Sequence, residues 1–320
     1  MDTNIKKIFY NFFKLISYFC NSFGQPIRSY YKKKKIKNHF IIKDLLNLDE
    51  NIAYKKNHFT DFKIKLHEFM ALLKQYYCSS ACVTIYKFGD GDYFFLKRIN
   101  IGSAKPGNRA LSKSYDEINH DMFITNSKKN DIYACEIIQP NLKYFYKCFS
   151  KKPDYPAEFC YILIANKWIF KNFQSIGLIG AKEKLNIIKK LLGFEEYKKY
   201  LGIDDFKDYI DIPQRFACDN CYEVEKYVSK KLSKSDIKIY LCGMGHLKSF
   251  LLCNLKKYHN AIYLDIGAGI DALAGIIDKN RPYFGNWTNY QFKDKKVYEN
   301  IDYMNYYEKD DISRKFIDVN

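Results

Sequence analysis

No stretch of the 320-residue sequence is long and apolar enough to span a bilayer. The nearest approach, Ile8 to Cys20, is interrupted by Asn11 and Lys14. It falls short of the roughly 18 apolar residues a crossing needs. Lys6 and Lys7 precede it, as in a secretory leader, but no small-x-small cleavage site follows. A second Cys-x-x-Cys is also missing. Cys218 and Cys221 stand alone, and a zinc site needs four ligands, from two such pairs or from nearby histidines. The 10 cysteines are scattered, and Cys82, Cys160 and Cys253 lie inside apolar runs. That is the pattern of free thiols packed as small hydrophobes in a reducing compartment, so the expected location is cytoplasmic. There is no internal repeat.

Acidic residues are in short supply. Against 53 Lys+Arg stand 36 Asp+Glu, which leaves a formal charge of +17. Such an excess admits three partner classes: nucleic acid, an anionic membrane and phosphorylated small molecules. The chain is also rich in Asn, Ile, Tyr and Phe, a bias that AT-rich coding produces together with Lys, so the lysine count alone selects none of the three. The hydrophobic fraction of 47% and this length are enough to bury a core.

Residues 1–57 differ from the rest. Ile5, Ile8, Phe9, Phe12, Ile16 and Phe19 share one helical face, and Lys32-Lys33-Lys34-Lys35 follow. This basic aromatic arm suits peripheral contact with an anionic membrane surface, or simple packing on the main domain. From His58 to Tyr77 the apolar spacing is helical, and Ala81 to Phe88 reads as a strand. Residues 93–175 are mixed, with helices expected near 114–125, 141–149 and 157–165.

The second half alternates strand, glycine turn and helix. Strands are expected at Ser175 to Ile179, Tyr209 to Pro213, Asp236 to Cys242 and Ala261 to Ile266. Helices are expected at Lys182 to Leu192, from an Asp219 cap to Leu232, at His246 to Tyr258 and near 271–278. That alternation implies parallel strands with crossover helices. The fold class is therefore α/β, a Rossmann-like, mostly parallel sheet with flanking helices over residues 58–292, preceded by the helical basic arm and followed by a charged tail, 293–320. In such sheets ligands bind at the carboxyl ends of the strands.

Four segments at those ends can carry chemistry. In Phe88-Gly89-Asp90-Gly91-Asp92, two carboxylates one residue apart are suited to a hard divalent cation, and Gly89 and Gly91 would let a diphosphate approach. A plain Gly-Asp turn gives the same letters. In Gly243-Met244-Gly245-His246, backbone N–H groups at a helix start suit an anion, and His246 can move a proton. Gly177, Gly180 and Lys182 repeat that arrangement, with Lys182 as a phosphate counter-charge. Leu264-Asp265-Ile266-Gly267-Ala268-Gly269-Ile270-Asp271 supplies two further carboxylates, Asp265 and Asp271. It looks like the first motif of S-adenosylmethionine-dependent methyltransferases, but that motif opens its domain, whereas only about 50 residues follow it here. Arg109 and Arg281 offer planar forks suited to phosphate.

Taken in order, ending with Asn280-Arg281-Pro282-Tyr283-Phe284-Gly285, these motifs resemble the glycosyltransferases of the GT-D fold over roughly residues 80–292. The resemblance implies sugar transfer from a nucleotide-sugar donor to a glycan or glycoprotein acceptor. It also implies Mn²⁺ or Mg²⁺ at an Asp-x-Glu-like pair that falls on Asp90 and Asp92, the second acid being Asp rather than Glu. His246, Asp265 and Asp271 remain the candidates for the base. The alternative class is a basic protein that binds nucleic acid or a membrane surface through residues 1–57.

Overall fold

The structure is a computed structural model that describes residues 62–98, 118–136, 139–276, 290–299, 301 and 316–317. The 1–57 arm lies outside these residues. The chain enters through α1 (Phe62–Ser79), whose Leu66, Phe69 and Leu73 recur at helical spacing and are buried. It then forms β1 (Val83–Phe88), α2 (Asp90–Leu96), α3 (His120–Ser127), β2 (Ile132–Cys135), α4 (Gln139–Phe149), β3 (Tyr155–Pro156), α5 (Glu158–Ala165) and α6 (Trp168–Asn172). Next come β4 (Ile176–Ala181), α7 (Lys182–Leu191), α8 (Glu195–Leu201), β5 (Asp208–Ile212) and α9 (Cys221–Leu232). The last large units are β6 (Ile239–Gly243), a 3₁₀ turn (Gly245–Leu247), α10 (Lys248–Leu255), β7 (Ile262–Asp265) and α11 (Gly269–Leu273). The short strands β8 (Gln291–Phe292) and β9 (Phe316–Ile317) pair with each other.

Seven parallel strands lie in the order β3-β2-β1-β7-β6-β4-β5. The fold is α/β and Rossmann-like. The central strands are buried on both faces, as parallel sheets require, so they read as unbroken apolar runs. Their side chains still alternate between two cores. Val83, Ile85, Ile239, Leu241, Ile262 and Leu264 face one, while Tyr86, Phe88, Tyr240, Cys242 and Tyr263 face the other.

The helices follow the direction of each crossover. Connections that move towards β3 (α3, α4, α9, α10) pack on the Tyr86 face. Those that move towards β5 (α5, α6, α7, α8) pack on the Ile85 face. All crossovers thus share one hand, as a twisted parallel sheet demands. β1 and β7 lie side by side at the centre, with β6 next to them, so the segments that follow these three strands meet at one edge of the sheet.

Several elements depart from the sequence expectation. β2 was not expected; it is only four residues long and has no glycine turn behind it. The Gly89–Asp92 segment is not an open turn, because α2 begins at Asp90. The cap of α9 is Asn220 rather than Asp219. Tyr298 and Ile301 pack into the Ile85-face core together with Tyr290 and Phe292. Among the described residues no helix is long and apolar enough to cross a membrane.

Candidate functional site

β1 ends at Phe88 and Gly89 caps α2, so Asp90 and Asp92 fall in the first turn of a helix, where negative charge meets exposed N–H groups. Asp92 is the third helical residue. It turns back so that its Oδ2 accepts the Gly89 N–H at 2.9 Å, while its Oδ1 accepts the Tyr86 hydroxyl at 3.0 Å. The same hydroxyl lies 2.7 Å from Ser249 Oγ. Asp92 is 3% exposed.

Lys248, the first residue of α10, supplies the counter-charge. Its Nζ lies 2.9 Å from Asp92 Oδ2 and 2.6 Å from Asp265 Oδ2, and it also donates to the Lys87 carbonyl. Asp265 ends β7 and is fully buried. Its Oδ2 accepts the Lys87 N–H at 3.1 Å and its Oδ1 the Gly267 N–H at 2.9 Å. One ammonium therefore ties together the ends of β1, β6 and β7.

A second buried cation lies alongside. Lys87 is 5% exposed, with its Nζ 4.9 Å from the centre of the Tyr161 ring. A Cβ at Gly89 would come within 3.1 Å of that Nζ, and one at Gly267 within 2.6 Å of Lys87 Cε, so the two glycines make the room the side chain occupies. Burial works against charge on Lys87, but Tyr161, Glu136, Asp265 and Asp92 outweigh it and hold its pKa well above the ordinary lysine value. Burial likewise opposes ionisation of Asp92; Lys248, Lys87, His246 and the Gly89 N–H overcome it and leave the carboxyl below its usual range. For Lys248, burial is outweighed by Asp265 and Asp92, and its pKa is raised.

The rim is polar. Glu136 Oε2 accepts the Asp90 N–H at 3.2 Å, and Asn141 Nδ2 reaches both Asp90 Oδ1 (3.1 Å) and Glu136 Oε2 (3.3 Å). Asp90 is exposed and Glu136 half-buried. On the other side the His246 ring stacks on Phe95 with centroids 4.6 Å apart, and its Cε1 would meet a Cβ at Gly91 at 3.1 Å. His246 is partly exposed.

The structure thus brings together Gly89, Gly91, Asp90, Asp92, His246 and Asp265. It does not join the others to them. Gly177 and Gly180 lie within β4, and Gly243 ends β6. A Cβ at Gly177 would sit 2.4 Å from the Tyr240 ring, and one at Gly243 2.6 Å from Ile270, so close packing occupies the space beside them. Gly245 has φ +55° and open space beside it. Lys182 is exposed at the start of α7. Asp271 pairs with Lys184 at 2.5 Å. Arg109 and Arg281 lie outside the described residues. Sequence reasoning missed Tyr86, Lys87, Glu136, Asn141, Lys248 and Ser249.

As arranged, Asp90 and Asp92 do not make a pair of metal ligands. In a helix, residues i and i+2 point to different sides. Asp90 points to the rim, and Asp92 into the interior, where three donors take it up. Among the described residues no group of three or more His, Cys, Asp or Glu side chains is placed to hold a metal ion. A groove of about 540 Å³ lies elsewhere, between α3, α9 and α10, lined by Met122, Asn126, Tyr222, Glu225 and Phe250. It shares no residue with the strand-end cluster and contains no comparable set of buried charges. Comparison of the chain with protein families, with curated proteins and with solved structures found no match.

Proposed function

We propose that the chain is a glycosyltransferase, moving a sugar from a nucleoside diphosphate donor to a hydroxyl of a glycan or glycoprotein acceptor at the ends of β1, β6 and β7. Its seven-stranded parallel sheet is then a GT-D fold. The observation that carries it is convergence. Three motifs of the resemblance, far apart in the chain, contribute Asp92, His246 and Asp265 to neighbouring strand ends, and Lys248, two residues past His246, joins Asp92 to Asp265 through one ammonium.

The reaction forms a bond from the acceptor oxygen to the anomeric carbon and breaks the bond from that carbon to the diphosphate. The bonding pair leaves on the diphosphate, and the acceptor hydroxyl loses a proton. Lys87, held charged at the strand ends, answers the negative charge that grows on the leaving group. His246, partly exposed beside the acidic rim, takes the proton; Asp265 is buried under three donors and Asp271 is paired with Lys184. Asp90 and Glu136, linked through Asn141, offer acceptor oxygens to sugar hydroxyls at the rim. No step is assigned to a metal ion.

Common nucleotide-sugars, incubated with the full chain with and without Mn²⁺, should release nucleoside diphosphate. His246→Gln should lower kcat by about 10²–10⁴-fold with little change in Tm. No release from any donor, or full turnover in His246→Gln, contradicts the reading.

A further inference from the structure

We infer that Lys248 is a resident cation, standing between Asp92 and Asp265 in the place where a divalent metal would bridge two carboxylates at the strand ends. Its Nζ has three oxygen partners, Asp92 Oδ2, Asp265 Oδ2 and the Lys87 carbonyl, which matches the three protons an ammonium has to donate. The oxygens it leaves are also used, by Tyr86 on Asp92 and by Gly267 on Asp265. Asp92, Asp265 and Lys248 are all 5% exposed or less. Mg²⁺ and Mn²⁺ want a wider shell, with near-octahedral oxygens and usually several retained waters. This shell is filled instead by backbone N–H donors, a phenol and the lysine. Lys248 would hold these two acids whatever reaction the cleft carries out. The acidic pair read from the sequence is thereby split: Asp92 is a positioning residue that holds the end of β1 and the start of α2 to Lys248, and through it to Asp265 of β7, and Asp90 alone faces the rim.

The test uses the full chain and reads Mn²⁺ binding by electron paramagnetic resonance alongside Tm. Wild type and Asp92→Asn should bind Mn²⁺ equally, however weakly. Lys248→Met removes the only ammonium hydrogen-bonded to both buried carboxylates among the described residues and leaves Lys87 as the nearby charge, so Tm should fall by roughly 10 °C. Millimolar Mn²⁺ should restore much of that loss, and Asp92→Asn added to Lys248→Met should abolish the rescue. A tenfold loss of Mn²⁺ affinity in Asp92→Asn overturns the inference, as does a Lys248→Met protein that is as stable as wild type or is not rescued. If Lys248→Met does not fold, acetic anhydride labelling of the wild type decides. Lys248 should stay unmodified with and without Mn²⁺, and labelling of Lys248 only when Mn²⁺ is present means that the metal displaces it.

Discussion

Asp90 and Asp92 are separated by one glycine, yet one carboxylate meets solvent and the other a buried lysine, because the chain is helical there. Asp92→Asn keeps the shape and removes the charge that Lys248 answers. It should cost about 2–3 kcal/mol, read as a lower urea midpoint with an unchanged m-value; an unchanged midpoint would mean the pair contributes nothing. The pH dependence follows from the two shifts. The lowered Asp92 pKa adds stability above its unfolded value, about 3.9, which is lost as pH falls through the folded value. The raised Lys248 pKa adds stability below about 10.4, which is lost as pH rises through the folded value. Urea midpoints should therefore be flat from about pH 5 to 9 and fall on both sides, and Asp92→Asn should flatten the acid limb. The acids were visible in the sequence as a motif. Lys87 and Lys248 were not, because 53 basic residues hide two and nothing local marks a lysine that burial will pair. The one available signal was spacing: an acid three residues after a glycine that ends a strand is the third position of a helix start, where a carboxylate turns back on the cap.

Gly177 and Gly180 looked like a phosphate turn, but they belong to the strand itself. β4 needs a residue without a side chain opposite Tyr240, whose hydroxyl is fixed to Asp208 at 2.5 Å and lies 2.6 Å from Ser235 Oγ. Gly177→Ala should cost about 1–3 kcal/mol by overpacking, measured by chemical denaturation. Wild-type stability in that variant would show that the Tyr240 ring has somewhere to go. The contrast explains what was legible. β1, β4, β6 and β7 are apolar runs that stop at or near glycines, and the sequence located each to within a few residues. The glycines themselves were ambiguous, since a turn and a close packing contact both require the missing Cβ. β2 and α2 escaped notice for another reason. Each is short, and each depends on its neighbours: β2 on pairing with β1 and β3, α2 on the Gly89–Asp92 bond and on Phe95 packing against Phe123.

The alternation of strands and helices announced a parallel sheet, but not the order of its strands. Putting β7 beside β1 depends on the chain returning from the β5 edge through α9 and α10, a choice made by long-range packing. That return assembles the cluster, since only then do Asp265 and Lys248 reach the end of β1. The groove between α3, α9 and α10 is the rival location for a ligand. It is lined by residues of α3, α9 and α10 and shares none with the cluster of buried charges. Hydrogen–deuterium exchange of the full chain with saturating nucleoside diphosphate separates the two locations. Slower exchange is predicted from Lys87 to Leu96, from Met244 to Ser249 and from Ile266 to Ile270. Protection confined to α3 and α9, or none at the ends of β1, β6 and β7, would contradict the account.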